Sequence, residues 1–207
     1  MKSHDATVRE LLDVAGTTYA EQADIDLADK PAPLYRLLVL SVLLSTRIKA
    51  DIAVAAAREL AVFGTPRKML DATWQQRVDA LGRGHYVRYD ESTATALGQG
   101  AELLLDRYRG DLRRGREHPD GIPKALQEIP KLGPVGAHIF CREAQGVWPE
   151  LRPYLDKKAQ DGAKRVGLPT AAKDLAGLVP GDDLPRLAAA LVRVTLEKDT
   201  ATRLIPA

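Results

Sequence analysis

LYRLLVLSVLLS, residues 34–45, is apolar on nearly every side, and nothing else in the 207-residue chain limits the fold as tightly. A helix without a polar face has to be enclosed by other elements. Pro31 and Pro33 stand just before it, where a first-turn residue loses nothing by lacking an N–H. The segment is therefore expected to be a central, buried helix, and the rest of the chain has to cover it. At 45% hydrophobic residues the chain can bury a sizeable core, as one domain or as two small lobes. Aromatic residues make up only 5%, leucine and alanine dominate, and long valine/isoleucine alternations are missing, so the covering is expected to be helical as well. The fold class expected is all-α.

Capping residues and glycines divide the remainder into further helices. In DATVRELLDVAGTTYAEQ, Val8, Leu11, Leu12, Ala15 and Tyr19 recur at helical spacing, with Asp5 as the expected N-cap. Helices are expected from about Asp51 to Phe63, closed by Gly64, from Pro66 after Thr65, and from Trp74 after Thr73. In ESTATALGQGAELLLDRY, Ala94, Leu97, Ala101, Leu104 and Tyr108 form one stripe, with Gly98 and Gly100 admitting a close helix contact. RYRGDLRRGREHPDG reads as a loop whose five arginines either contact phosphate or are simply solvated. Short helices from Asp156, Thr170 and Asp183 complete the chain.

Charge bears on the choice of partner. The net charge is +2, but residues 1–30 hold three Lys/Arg against seven Asp/Glu, leaving 27 against 21 in the rest. A positive body suits a polyanion, and a solvated arginine-rich surface accounts for it equally. No h-region opens the chain and no apolar run approaches membrane-spanning length, so the expectation is a soluble cytoplasmic protein without a membrane partner. Cys141 is the only cysteine, which excludes an intrachain disulfide and any cluster or zinc site that needs several thiolates.

IPKLGPVGAHIF, residues 129–140, is the stretch closest to chemistry. GIPKALQEI reads as one short helix and VGAHIFCREAQ begins a second, so PKLGP connects them tightly. The amides that open the second helix have no intrahelical partner, and together with the helix-end partial charge they attract an anion. Gly133 and Gly136 let a phosphate approach without meeting a Cβ. Such a contact would be indifferent to base sequence. An αα-hairpin that needs small residues in order to turn is the purely structural alternative.

The pattern IPKLGPVGA closely resembles the helix–hairpin–helix of the endonuclease III superfamily of DNA glycosylases. LLVLSVLLSTRIKAD at 37–51, ALGRGHYVRYDESTATALGQGA and YLDKKA at 154–159 keep that family's order, so the resemblance spans about residues 33–168. It implies a two-lobed helical fold. Residues 33–140 would form a lobe carrying the hairpin at about 121–145, and residues 1–32 with 141–207 would form the second. It implies a monomer acting on double-stranded DNA, damaged or abasic, by hydrolysing the N-glycosidic bond of a damaged or mispaired base. A catalytically inactive DNA-binding protein of the same fold is the alternative, and a helical protein-interaction module is a third reading.

The resemblance also implies roles residue by residue. Val135 occupies the position of the lysine that forms a Schiff base in bifunctional members, and a valine cannot be a nucleophile. Asp156 matches the catalytic aspartate, whose carboxylate would stabilise positive charge on the sugar. It also reads as the N-cap of the following helix, and the two roles are compatible. Lys157 and Lys158 replace the residues that usually follow, and a solvated helix face is expected for both. Arg47 aligns with the residue inserted into the duplex, Ile48 is a candidate wedge between bases and Lys49 a candidate phosphate contact. An ordinary exposed turn accounts for the same trio. Lys131 stands where the hairpin usually has glycine, either adding a phosphate charge or crowding the turn. His85, Tyr86, Tyr89 and His138 are candidates for the base pocket, with packing as the alternative. No iron–sulfur cluster is expected, and a monovalent cation would map to the carbonyls of Gln127, Ile129 and Leu132.

Overall fold

The computed structural model describes residues 3–204, and among them the chain forms thirteen α-helices and no strand. In order these are α1 (His4–Ala15), α2 (Tyr19–Gln22), α3 (Pro31–Leu44), α4 (Ala50–Glu59), α5 (Pro66–Asp71), α6 (Trp74–Arg83) and α7 (Asp90–Tyr108). There follow α8 (Ile122–Gln127), α9 (Pro134–Ala144), α10 (Lys157–Arg165), α11 (Ala172–Ala176), α12 (Leu184–Leu196) and α13 (Lys198–Leu204). Local chemistry explains many of the starts. Thr65 and Thr73 accept the amides of Lys68 and Gln76, and Gln76 returns a bond to the Thr73 amide, completing a capping box. Ser3, rather than the expected Asp5, caps α1 by accepting the Ala6 amide at 3.2 Å. Asp5 lies inside the first turn, where its charge suits the helix end.

The contacts divide the chain into two units, Ala20–Phe140 and Met1–Tyr19 with Cys141–Ala207. The N-terminal boundary thus lies after Tyr19 rather than at the expected residue 32. Arginines from within the first of these units hold the intervening backbone: Arg36 donates to the carbonyls of Ala23 and Asp24, and Arg58 to that of Gln22 and to the Asp24 carboxylate.

In the unit Ala20–Phe140, α3 is buried from Leu34 to Val39 apart from Arg36 and again from Leu40 to Leu43, as its unbroken apolar surface requires. It packs on α4, α4 on α6, and α7 on both α5 and α6. Arg77 ties the last three together. Its buried guanidinium donates to the carbonyls of Met69, Ala72 and Ala94 at 2.7–2.9 Å. Gly98 makes room for that group, since a Cβ there would stand 2.8 Å from Arg77 Nη2, and Gly100 makes room for Ile129. These two glycines therefore admit side chains rather than a neighbouring helix.

The arginine-rich segment is not an open loop. Leu112–Glu117 forms a 3-10 helix begun by Asp111, and Arg113 pairs with Asp111 at 2.7 Å. Arg107 pairs with Glu128 at 2.9 Å and Arg116 with Asp29 at 3.5 Å, so three of the five arginines are engaged with internal carboxylates.

The unit formed by both ends of the chain is organised by α12, which packs against α1, α10 and α13. Val8, Leu11 and Ala15 from α1 meet Leu187, Leu191 and Val194 of α12 and Ala159 and Ala163 of α10 in one apolar core. The closest approach is at Gly162, where a Cβ would lie 2.0 Å from the Leu191 carbonyl oxygen. Arg193, only 5% exposed, crosses beneath the Tyr19 ring at 4.5 Å and donates to the Ala15 and Thr17 carbonyls. Among the described residues no helix is long and apolar enough to cross a membrane.

Candidate nucleic-acid interface

The turn between α8 and α9 presents its tip to solvent. Lys131, Gly133, Pro134 and Val135 are exposed, Val135 at 62%, and a Cβ on Gly133 would meet nothing within 4 Å. Pro134 opens α9, and Ala137 is the first residue of the helix whose amide reaches back, to the Gly133 carbonyl at 3.0 Å. The amides of Val135 and Gly136 therefore lie ahead of the helical ladder. Gly136 differs from what the sequence suggested. It is buried, and a Cβ there would stand 2.6 Å from Leu132 Cδ1 and 3.3 Å from Ser45 Cβ, so its missing side chain serves packing. Open approach belongs to Gly133 alone.

Lys131 takes φ 63°, the left-handed conformation that favours glycine, which is the physical reason a glycine would suit this place. Its side chain folds back rather than crowding the turn. Nζ donates to Ser92 Oγ at 2.6 Å and to Thr93 Oγ1 at 3.2 Å, and stands 5.9 Å from the Tyr89 ring centre. Partial burial lowers the pKa of this amine.

A cavity of about 360 Å³ is lined by Lys131, Arg47, Tyr89, Ser45 and Thr46. Three residues singled out from separate stretches, Arg47, Tyr89 and Lys131, are thus brought together. Lys49 is exposed and begins α4 by accepting the Ala53 amide through its carbonyl, while Ile48 is half-buried. Tyr86 does not join the cavity. It is wholly buried, with its hydroxyl 2.9 Å from Thr46 Oγ1 and 3.4 Å from Thr93 Oγ1, and offers no ring face to a base. His85 is exposed at φ 62° and does not line the cavity, and His138 is exposed on α9 with its own internal interaction.

The hydroxyl chain Thr46–Tyr86–Thr93–Lys131 links two walls of this cavity. Tyr86→Phe should lower unfolding free energy by about 1 kcal/mol, the net worth of a buried hydrogen bond. Urea denaturation measures it, and an unchanged midpoint would mean that the chain holds nothing.

Asp156 lies in the other unit. It is the N-cap of α10, its Oδ1 accepting the Ala159 amide at 3.4 Å, and its Oδ2 is held by Arg142 Nη1 at 2.8 Å with both side chains 10% exposed. Arg142 carries no mark in the sequence as a partner of Asp156, because it stands fourteen positions earlier on a different element. Lys157 pairs with Asp161 along the exposed face of α10, as a solvated face would. Nearby, burial pushes the Cys141 thiol up to about 12 despite a hydrogen bond from Tyr154, which leaves it a packing residue. The carbonyl of Ile129 accepts the Leu132 amide at 3.0 Å, and an oxygen with two lone pairs can accept this bond and still face a cation. Among the described residues no group of three or more His, Cys, Asp or Glu side chains is placed to hold a metal.

No protein-family model matches the chain, and no curated protein matches it either. Solved structures do. A trapped endonuclease III–DNA covalent intermediate in an estranged-adenine complex shares 16% identity over 93% of this chain and 86% of its own, with a TM-score of 0.51. A non-covalent endonuclease III–DNA complex shares 17% over 94% and 86%, at 0.50, and a thermostable thymine-DNA glycosylase 16% over 95% and 89%, at 0.55. The chain has an endonuclease III-like, all-α fold.

Proposed function

We propose that the chain is a DNA base-excision repair protein that binds damaged or abasic double-stranded DNA as a monomer. In this reading it hydrolyses the N-glycosidic bond of a damaged or mispaired base without cutting the strand. The observation that carries the reading is the exposed tip of the α8–α9 turn, with open space at Gly133 and first-turn amides at Val135 and Gly136, in a chain of this fold. A phosphate seated there gains the helix-end charge and meets no side chain at Gly133. Arg47, Lys49 and Lys131 add positive charge within the same unit, and Ile48 remains the candidate wedge. A monovalent cation on the carbonyls of Gln127, Ile129 and Leu132 would brace the turn. No step depends on it.

For the chemistry, Asp156 supplies the fixed negative charge. As the base departs with the bonding electron pair, positive charge grows on the sugar and a carboxylate stabilises it. Water then adds at the sugar carbon, and its proton goes to the departed base, so the products are an abasic sugar and the free base. Val135 forms no imine, so strand cleavage through that position is absent. The Arg142–Asp156 pair favours a second reading. A carboxylate with one oxygen on a guanidinium and the other on a helix amide keeps its place but shares its charge, which suits a protein that recognises damage without excising it.

Single-lesion duplexes tested against native protein and Asp156→Asn separate the two. Asparagine still caps α10 but carries no charge. Excision should fall about a hundredfold, on the scale of losing one electrostatic stabiliser. Equal product from both proteins would remove Asp156 from the chemistry, and no product from the native protein on any lesion would leave the binding role alone.

A further inference from the structure

We propose that the cavity between Trp74 and Tyr89 binds an unpaired nucleobase on a single-stranded stretch of nucleic acid. This cavity, about 560 Å³, is lined by Trp74 at the start of α6, by the first two turns of α7 and by Arg88 and Tyr89, which precede α7. Trp74 is 41% exposed, yet its ring is fixed, since the indole N–H donates to Thr95 Oγ1 at 3.1 Å. Tyr89 stands across the cavity with the Arg88 guanidinium 5.2 Å from its ring centre. Two aromatic rings and a guanidinium plane are stacking surfaces for any base.

The polar lining fits a base and opposes a phosphate. Asp90 and Glu91 can accept from the exocyclic amino group of cytosine, adenine or guanine, and their charge repels an anion. Phosphate chemistry belongs to the cavity containing Arg47 and Lys131, which Tyr89 also lines. Tyr89 thus lines both a cavity with stacking surfaces and carboxylates and one with Arg47 and Lys131, as neighbouring base and phosphate of a single strand would require. The inference rests on the DNA reading above only through that second cavity.

Trp148 is wholly buried, so Trp74 is the tryptophan whose emission a ligand can reach. Titrating the native protein with a short single-stranded oligodeoxycytidylate should quench that emission saturably, and Tyr89→Ala should weaken the binding about tenfold, the scale of losing one stacked base. Unchanged emission, or the same midpoint in Tyr89→Ala, overturns the proposal. Should that variant fail to fold, protection of Trp74 from acrylamide by the oligonucleotide in native protein decides the same point, and no protection overturns it. Anisotropy with a labelled abasic duplex separates this idea from the repair reading. Retained duplex binding with silent Trp74 sinks the nucleobase site alone, whereas lost duplex binding with quenching intact sinks the repair reading and leaves the site standing.

Discussion

Methionine in place of Arg142 should lower the free energy of unfolding by about 3–5 kcal/mol, as expected when one partner of a buried ion pair is removed and the other is left behind. The stranded group would be Asp156, whose Oδ2 lies 2.8 Å from Arg142 Nη1 where neither side chain is more than 10% exposed. Methionine keeps most of the aliphatic volume, so the loss reports charge rather than a cavity. A double-mutant cycle with Asp156→Asn isolates the pair: the double variant should be markedly less damaged than the sum of the two singles. Additive losses in urea denaturation would show that the contact contributes nothing. The cycle also bears on function, because a carboxylate retained purely to hold a helix start should be dispensable once its partner is neutralised.

The second large effect is expected at Gly162. Alanine there places a methyl group 2.0 Å from the Leu191 carbonyl oxygen and 2.7 Å from the carbonyl carbon, both fixed in the middle of α12. Neither helix can yield by a rotamer change, so α10 has to move away and open the apolar seam that Ala159, Ala163, Leu187 and Leu191 close. A loss of about 3 kcal/mol is expected, at the upper end of what overpacking usually costs. Thermal melting followed by circular dichroism measures it. An unchanged midpoint would mean that the two helices do not pack this tightly in solution.

Much of the fold was legible because it depends on local chemistry. Residues 34–45 admit no solvent face, so α3 had to be enclosed. Thr65 and Thr73 announce α5 and α6 through oxygens that any reader of capping rules would pick out. The cap of α1 is ambiguous in the sequence because Ser3 and Asp5 both offer an oxygen, and either start turns Val8, Leu11 and Ala15 to the same side. α13 leaves little trace in the sequence, since KDTATRL carries hardly any apolar stripe.

The site was less legible, for reasons of distance and backbone. Tyr86 and Tyr89 look interchangeable in sequence. His85 at φ 62° and the start of α7 after Tyr89 send one ring into the core and leave the other on the cavity wall. Ser92 and Thr93 hold the Lys131 amine from a helix almost forty residues away, and no spacing rule reaches that far. Gly133 was readable because its freedom is a property of the turn itself, whereas the need for glycine at 136 depends on Leu132 and on Ser45 from a distant segment.

The pairing of α1 with α12 sets an order of events during synthesis. The unit Ala20–Phe140 is contiguous in sequence, but the apolar stripe of Val8, Leu11 and Ala15 lacks its α12 partners until Leu187 and Leu191 have been made. At usual elongation rates that wait is on the order of ten seconds. Throughout it, that apolar face of α1 stays uncovered by its partner helix.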